Sequence, residues 1–288
     1  MKIAIYAGEI PATTFIERLV KGLASANLEI GLFGSITKPF SPISGVQAIG
    51  INSRLGRLGV LYFFAKYGLL LSVFRPSLKN KLHQVSPSVS LRERSVQYSI
   101  LWFMPDIFHL QWVKGVEKFT WVQEFGIKLI VSLRGAHINY SPLADLELAN
   151  TYRAVFPNID GFHGVSKAIC KEASLYGADF KKCQVVYSGF NLEEYPKESW
   201  IDKVAPLEKK GIEILSVGRS HWKKGYHFAL DAMKLLKDSG VQFNYTVIGG
   251  AGNEELMFQR NQLGLENEVE FKSSVSFEEV KRSLKEAD

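Results

Sequence analysis

The sequence predicts an α/β protein of two successive domains in which parallel strands alternate with helices. Short apolar runs of strand length recur along the chain, and the segments between them carry apolar residues at helical spacing. Glycines follow several of these runs, as expected where a strand ends in a loop. Such alternation favours parallel sheets covered by helices. A chain of 288 residues, 46% of them hydrophobic, can form one large or two smaller cores.

The amino-terminal part begins with a β-α-β pattern. Residues 2–6 predict a buried strand and residues 8–11 the turn after it. Thr14 and Glu17 have the spacing of a capping box that starts a helix, and residues 28–33 predict the next strand. The further predicted elements are strands at 106–111, 127–133, 161–165 and 185–187, and helices at 58–74, 120–125, 146–156 and 167–176.

The carboxyl-terminal part predicts a second, shorter series of β-α units. A charged stretch at 200–210 that contains a proline is the predicted linker, and the boundary is placed near residue 197. The domains are therefore expected at 1–197 and 198–288. The predicted elements of the second domain are strands at 212–217, 243–248 and 269–271, helices at 226–236 and 254–262, and a last helix started by Ser276 and Glu279.

Two cations mark a candidate ligand site in the second domain. Arg219 and Lys224 lie between the strand at 212–217 and the helix that follows it. Open parallel sheets bind ligands at the carboxyl ends of their strands, and a helix N-terminus favours anions. Arginine can hold phosphate oxygens bidentately, while lysine supplies a movable charge. The pattern indicates a diphosphate site, and a solvated basic loop is the alternative interpretation.

This region carries a family resemblance. The stretches SVGRSHWKKGYHFALDAMKLL at 216–236, YTVIGGAGNEEL at 245–256 and LGLENEVEF at 263–271 resemble the donor-binding half of retaining glycosyltransferases of family 4. That resemblance implies the GT-B fold, with two Rossmann-like domains. It also implies transfer of a sugar from a nucleotide-diphosphate donor to an acceptor hydroxyl, with retained configuration and with neither a cofactor nor a metal. Arg219 and Lys224 would hold the diphosphate of the donor.

The resemblance extends over the amino-terminal half. IPATTFIERLVKGLA at 10–24 resembles the opening of exopolysaccharide glycosyltransferases, and PDIFH at 105–109 resembles the P-D-x-x-H strand of the family. Relatives often read H-G-x-D where this chain has Arg134-Gly135-Ala136-His137. Arginine keeps its proton and can stabilise negative charge, whereas histidine can accept a proton. Arg134 and His137 are therefore the candidate catalytic residues.

The resemblance also implies a set of cleft-lining residues. One of them replaces a Gly-Gly pair that many relatives carry in the first loop, another lies in the stretch GVSKAI at 164–169, and others belong to glycine turns. These candidate residues are Gly8, Ser166, Gly189, Asn191, Gly249 and Gly250.

Relatives continue beyond the Glu286-Ala287-Asp288 at which this chain ends. In them a further strand, a loop of small residues and a Glu-x7-Glu motif follow, and that motif contacts the donor sugar and the ribose. The resemblance therefore implies an incomplete second domain. A further carboxyl-terminal segment or a second chain would complete it.

The basic excess of the chain is concentrated in one segment. Residues 51–100 contain eight Lys or Arg and one Glu, a balance of 8 − 1 = +7, against +6 for the whole chain. Within this segment lies the most apolar window, at 58–74. Basic flanks around an apolar helix favour an interfacial helix on anionic lipid, through residues 51–94. A buried helix of the first domain is the alternative, and a transmembrane span is less favoured because Lys66 interrupts the window.

The cysteine pattern and the amino terminus favour a reducing, cytoplasmic location. Cys170 and Cys183 form neither a C-x-x-C motif nor a metal-ligand pattern, and the start MKIAIYAGEI has too short an apolar run for a signal peptide. A contact with the inner face of the membrane through 51–94 is compatible with this location. Nucleic acid is not an expected partner, because the basic residues interleave with aliphatic ones instead of forming a polar groove.

The resemblance leaves alternatives for the function. The first interpretation is a glycosyltransferase with a saccharide or lipid-linked saccharide acceptor in surface-polysaccharide synthesis. A sugar-nucleotide 2-epimerase uses the same fold and a similar diphosphate site but needs no acceptor. The third is a catalytically incomplete, membrane-peripheral binding or partner protein.

Overall fold

The computed structural model describes residues 1–189 and 211–288. The chain separates into two compact units, Met1–Phe190 and Asn191–Asp288, and each is considered by itself. The predicted boundary near 197 and the predicted linker at 200–210 lie outside the described residues.

The first unit contains a seven-stranded sheet in the order β3-β2-β1-β4-β5-β6-β7. Every neighbouring pair in it is parallel, as the alternating sequence pattern predicts. Its strands are β1 (Lys2–Ile10), β2 (Glu29–Ile36), β3 (Val46–Asn52), β4 (Ile107–Leu110), β5 (Lys128–Leu133), β6 (Gly161–Gly164) and β7 (Cys183–Val185).

Eight α-helices accompany this sheet among the described residues. Short 3-10 segments lie at Ser53–Leu55, Val116–Phe125, Phe156–Asn158 and Phe180–Lys182. The helices are α1 (Thr14–Ala24), α2 (Gly56–Phe74), α3 (Pro76–Val85), α4 (Leu91–Phe103), α5 (Ala136–Asn139), α6 (Ser141–Ala144), α7 (Leu146–Val155) and α8 (Lys167–Ser174).

The sheet separates two apolar layers. Along β1 successive side chains point to opposite faces. Ile3 and Ile5 therefore pack with Ile16 of α1 on one face, while Ala4 belongs to a larger cluster on the other face. That larger cluster includes Phe63 of α2. Burial on both faces explains the nearly continuous apolar runs of these strands.

Several predictions for the first unit were wrong in detail. Strand β1 continues to Ile10 through the predicted turn at 8–11, because β2 offers pairing partners up to Ile36. Thr13, not Thr14, precedes α1, and its side chain makes no capping bond. The predicted helix at 120–125 is the second part of a longer 3-10 helix, Val116–Phe125. Strand β3 was not predicted, since its Gln47 and Gly50 weaken the apolar signal.

The second unit contains a three-stranded parallel sheet in the order β10-β9-β8. The predicted elements of this unit are confirmed within about two residues at most ends, and Ser276 caps the last helix by accepting a bond from the Glu279 amide at 3.2 Å. The elements are β8 (Ile212–Val217), α9 (Tyr226–Asp238), β9 (Phe243–Ile248), α10 (Glu254–Gln262), β10 (Val269–Lys272) and α11 (Phe277–Glu286).

Helix α2 has two different sides. Phe63, Tyr67 and Leu71 are buried in the core of the first unit. By length and composition the stretch Ser53–Phe74 is also the one candidate membrane span among the described residues, with 28% of its apolar window buried. Because the buried side chains belong to the core, the structure supports a packed helix with an exposed outer side.

Leu71 and Leu69 give a matched test of this packing. Leu71 is fully buried, whereas Leu69 is 66% exposed on the same helix. Leu71→Ala should lower the free energy of unfolding by about 2 to 5 kcal/mol, because it leaves a cavity. Leu69→Ala should change it by no more than about 0.5 kcal/mol. Urea unfolding measures both, and equal effects would mean that the inner face is wrongly assigned.

Candidate active site

The first cluster of candidate residues lies where the strand order reverses, at the carboxyl ends of β1 and β4. The loops that leave these adjacent strands run in opposite directions, which opens a crevice in sheets of this kind. Trp112 follows β4, and its indole N–H donates to the Ala7 carbonyl oxygen at 3.0 Å. Gly8 has φ +86°, and a Cβ on it would lie 3.8 Å from Cδ1 of Trp112. The indole therefore covers the end of β1.

Arg134 follows β5 and extends toward the same crevice. Its Nη2 donates to Oε1 of Gln111 at 2.9 Å, and its guanidinium carbon lies 4.4 Å from the centre of the Phe15 ring. Burial lowers the pKa of Arg134 to about 10. The side chain therefore stays positive at neutral pH and cannot act as a base. It supplies a fixed, partly desolvated positive charge.

His137 lies in α5, one turn beyond Arg134. Its ring centre is 5.7 Å from that of Trp112, in an edge-to-face arrangement. The backbone oxygen of His137 accepts a bond from the Tyr152 hydroxyl at 3.2 Å. Burial lowers the pKa of the His137 imidazole, and the positive charge of Lys114 lowers it further. The imidazole is therefore neutral at neutral pH and able to accept a proton.

Three buried polar atoms of this cluster have no hydrogen-bond partner within the described part of the chain. They are Nε2 of Gln111, Nε of Arg134 and Nδ1 of His137. Buried polar groups are normally satisfied, so a group of unmet donors and acceptors marks a place for water or a ligand. The sequence prediction named Gly8, Arg134 and His137. The structure places Gly8 and His137 beside Trp112, and it places Arg134 over Phe15, whose ring centre is 5.8 Å from that of Trp112.

A chain of hydrogen bonds joins the neighbouring strands β4, β5 and β6. Nε2 of His163 in β6 contacts the Val186 carbonyl at 3.2 Å, its Nδ1 contacts the Ser132 hydroxyl at 3.0 Å, and that hydroxyl contacts Nε2 of His109 at 2.9 Å. A carbonyl can only accept, so for neutral rings His163 donates through Nε2, Ser132 donates to His163, and His109 donates to Ser132. The sheet centre thus carries an oriented polar relay.

Both histidines of the relay resist protonation. Burial lowers the pKa of His109 to about 3, and the neighbouring His163 and Arg134 add repulsion for a second positive charge. His109 as a whole residue is only partly buried, but protein surrounds its imidazole on most sides. Burial also lowers the pKa of His163, although its bond to the Val186 carbonyl acts in the opposite direction.

The candidate residues of the second unit lie around the turn after β8. The Gly218 amide donates to the Ile248 oxygen at 2.9 Å, and the hydroxyl of Tyr226 donates to the Gly218 oxygen at 3.0 Å. The Lys224 stem passes beside Gly218, since a Cβ on that glycine would lie 3.2 Å from Cε of Lys224. Arg219 is the next residue in the chain, so both cations are held at one edge of the sheet.

The same turn leads into a helix N-terminus that is open to an anion. Gly225 precedes α9, provides no side-chain cap, and the first turn of α9 has no acidic residue. Arg219 and Lys224 are exposed and take part in no ion pair within residues 1–189 and 211–288. The buried Ser220 hydroxyl also has no partner within these ranges. Cations, amides and a hydroxyl together suit phosphate oxygens.

The remaining predicted cleft residues have structural explanations or lie outside the described ranges. Gly249 has φ +91°, and a Cβ there would come 2.6 Å from the Gly218 oxygen, while Gly250 packs against Phe271. The Ser166 hydroxyl caps α8 by accepting from the Ile169 amide at 3.2 Å. Gly189 is exposed, and Asn191 lies outside the described residues. For all of them a cleft role stays a prediction.

Sequence reasoning missed four contributors to these clusters: Phe15, Gln111, Trp112 and Ser220. Gln111 and Trp112 directly follow β4, at the strand end where ligand-contacting residues concentrate. This position was the available signal. Phe15 and Ser220 carry no such signal, because only the folded chain places Phe15 beneath Arg134 and buries the Ser220 hydroxyl.

Parts of this chain are similar to known proteins. Residues 198–288 match the family model of glycosyl transferases group 1. A stretch of 78 residues is 40% identical to WcaL of Escherichia coli K12, whose name proposes a role as a colanic acid biosynthesis glycosyltransferase, and 37% identical to WcaL of Salmonella typhimurium LT2. The match spans 27% of this chain and only 19% of either relative.

Solved glycosyltransferase structures match nearly the whole chain. Anabaena HepE in complex with UDP-glucose superposes with a TM-score of 0.57 at 16% identity, over 96% of this chain and 70% of HepE. The chain has the GT-B fold. WaaG, a glycosyltransferase of lipopolysaccharide biosynthesis, gives a TM-score of 0.57 at 12% identity, over 98% of this chain and 72% of WaaG. The two sheets described above are thus those of a GT-B protein.

The buried relay predicts a pH-dependent stability of this GT-B chain. The folded-state pKa of His109 lies near 3, below its usual 6.5, so the unfolded chain binds this proton first. The contribution of His109 to the free energy of unfolding is complete above pH 6.5 and is lost as pH falls toward 3, at up to about 1.4 kcal/mol per pH unit.

Urea unfolding at several pH values tests this contribution. Between pH 3 and 6.5 the free energy of unfolding should change less steeply with pH for His109→Gln than for the wild type. His221→Gln, at an exposed histidine of the second unit, is the control, and equal slopes in all three proteins would contradict the assignment.

Proposed function

We propose that this protein is a retaining glycosyltransferase of family 4 that moves a sugar from a nucleotide-diphosphate donor to a saccharide or lipid-linked saccharide. The observation that carries the proposal is the pair Arg219 and Lys224. These cations lie at a strand end beside the open N-terminus of α9, within the segment that matches glycosyl transferases group 1. A role in surface-polysaccharide synthesis is supported by the name of WcaL, which refers to colanic acid, and by that of WaaG, which refers to lipopolysaccharide.

The second unit is proposed to bind the donor. Arg219 and Lys224 bring two positive charges to one turn, and the amides of α9 and the Ser220 hydroxyl add donors. A nucleoside diphosphate becomes more negative at its terminal oxygen as the bond to the sugar breaks. Fixed donors and cations stabilise that growing charge more than they stabilise the intact donor, which is the requirement for faster transfer.

The first unit is proposed to bind the acceptor. In the transfer, the bond between the anomeric carbon and the diphosphate oxygen breaks, and a bond to the acceptor oxygen forms. The acceptor hydroxyl must also lose its proton. Neutral His137 can accept that proton, while Arg134 stabilises the negative charge that develops on the acceptor oxygen as the proton leaves. The proposal includes no metal and no cofactor.

Binding of UDP tests the donor site. UDP is the probe because the Anabaena structure holds UDP-glucose. Arg219→Ala should weaken UDP binding by about 1 to 3 kcal/mol, the range for a charge-assisted hydrogen bond. Lys285→Ala removes the same charge from an exposed position of the same unit and should have little effect. Calorimetry measures both, and equal dissociation constants for wild type and Arg219→Ala would overturn the site.

A second experiment tests the first-unit residues. Arg134→Ala should lower the rate of sugar transfer by about 100-fold to 1,000-fold, because it removes stabilisation of charge in the transition state. UDP affinity should stay unchanged. Arg153→Ala, at an exposed arginine of the same unit, is the control.

The assay for this experiment measures UDP release from a panel of UDP-sugars with lipid-linked saccharide acceptors. Nuclear magnetic resonance then assigns the anomeric configuration of the product. An inverted product would contradict retention. Formation of an epimeric sugar nucleotide without an acceptor would contradict glycosyl transfer and favour an epimerase.

A further inference from the structure

Helix α2 exposes an apolar side along its whole length. Successive turns of one face place large apolar residues outward, and half or more of each side chain is accessible. The exposed fractions are 71% for Leu58, 50% for Leu61, 65% for Tyr62, 66% for Leu69 and 61% for Val73. These five residues are called the outer face of α2 below. Contiguous apolar surface of this kind is uncommon on monomeric proteins and marks an interaction site.

The rotation of α2 about its axis is fixed by tight packing on its inner side. Phe63, Tyr67 and Leu71 are buried, and Gly68 allows the backbone to approach α4. A Cβ at Gly68 would lie 3.2 Å from Cε2 of Tyr98. The helix cannot turn its outer face into the core without losing these contacts. Since a helix with one buried side normally carries polar residues on the other, the apolar outer face needs a separate explanation.

Cations border the outer face, and acidic residues are absent from this part of the sequence. Residues 30–92 contain no Asp or Glu. At 100° per residue, Arg57 and Lys66 project on opposite sides of the apolar stripe, and Arg54 lies just before the helix. All three are exposed and make no ion pair within the described ranges. They are available to an anionic partner.

Other cations of residues 51–94 form hydrogen bonds within the first unit. Arg75 donates to the backbone oxygens of Leu101 and Trp102, both at 3.0 Å. Arg94 is buried and donates to the Ser86 and Pro87 oxygens. The structure therefore divides the segment into cations that hold its helices together and cations that border the outer face. This division narrows the candidate surface from residues 51–94 to Arg54 and α2.

We propose that the outer face of α2 docks onto an anionic phospholipid surface, with the helix lying parallel to the membrane. A 19-residue helix is about 28 Å long, enough to lay its apolar stripe along the headgroup boundary. The stripe would enter the acyl boundary, while Arg54, Arg57 and Lys66 would contact lipid phosphates. An apolar stripe with cations on both borders and no acidic residue matches this surface in polarity and charge. The proposal is independent of glycosyl transfer.

Flotation of the full chain with vesicles tests the proposal. One set of vesicles contains phosphatidylcholine alone, and the other also contains phosphatidylglycerol. The wild type should bind the second set, and added salt should weaken that binding. Leu58→Ser with Leu69→Ser should lower the partition coefficient about tenfold or more. Arg57→Gln with Lys66→Gln should lower it about fivefold for each charge removed.

Matched variants control for general effects of polarity and charge. Leu143→Ser with Leu175→Ser changes two leucines of the same unit that are 75% and 67% exposed, away from α2. Lys171→Gln with Lys181→Gln removes two exposed cations outside the segment. Both pairs should bind vesicles like the wild type. Circular dichroism and thermal melting establish that each variant is folded, and the charge variants test the surface even where a leucine variant fails to fold.

Three results would overturn the proposal. One is a wild-type chain that binds neither set of vesicles. Another is vesicle binding that both α2 variants retain in full. The third is concentration-dependent self-association, measured by light scattering, that the leucine variant abolishes while vesicle binding is absent. That last result would make the outer face an interface between copies of the chain.

Discussion

The parallel pairing of β1 with β4 is the constraint on which the first unit depends. The register joins Tyr6 to Leu110, so that both strands end at the same edge of the sheet. Gly8 then lies beside Trp112, and the loop after β5 brings Arg134 to Gln111. A shift of this register would separate these groups, although each would keep its local conformation. The crevice is therefore a property of strand order, and the same principle places Arg219 beyond β8 in the second unit.

Polar groups near this edge differ in how far their hydrogen-bonding capacity is met. The relay of His109, Ser132 and His163 satisfies its members through bonds across neighbouring strands and ends at a backbone carbonyl. At the crevice itself, Nε of Arg134 and Nδ1 of His137 have no partner in the described chain. Buried polar groups with all their hydrogen bonds, next to crevice groups that lack partners, are the arrangement expected of a ligand site. There a ligand or water supplies the missing hydrogen bonds.

Tertiary packing decides which side of α2 is exposed. The helix carries apolar residues on all sides, so the local sequence does not select the side that is buried. Packing selects it, since Gly68 and Leu71 fit against the remainder of the unit. The opposite side then carries Leu58 and Leu69 to the surface. A helix of this kind stabilises the core and presents an apolar stripe at the same time.

The sequence by itself determined the α/β class, most elements, and the position of the two cations proposed to bind phosphate. These features are local: apolar periodicity sets strands and helices, and a loop between a strand and a helix places Arg219 and Lys224 at a sheet edge. The sequence also identified Gly8, Arg134 and His137 as candidate site residues. It did not predict the elements that form through pairing with residues distant in the chain. Strand β3 forms because β2 offers an edge, and β1 is lengthened by the same pairing.

Only the tertiary structure decided what surrounds the candidate residues. It stacks Arg134 on Phe15, joins His109 to His163 through Ser132, and turns one side of α2 outward. Each of these contacts joins residues far apart in sequence or depends on which of two similar faces packs better. Burial, charge and hydrogen-bonding capacity near such residues come from that packing, and packing energies are sums over many distant neighbours.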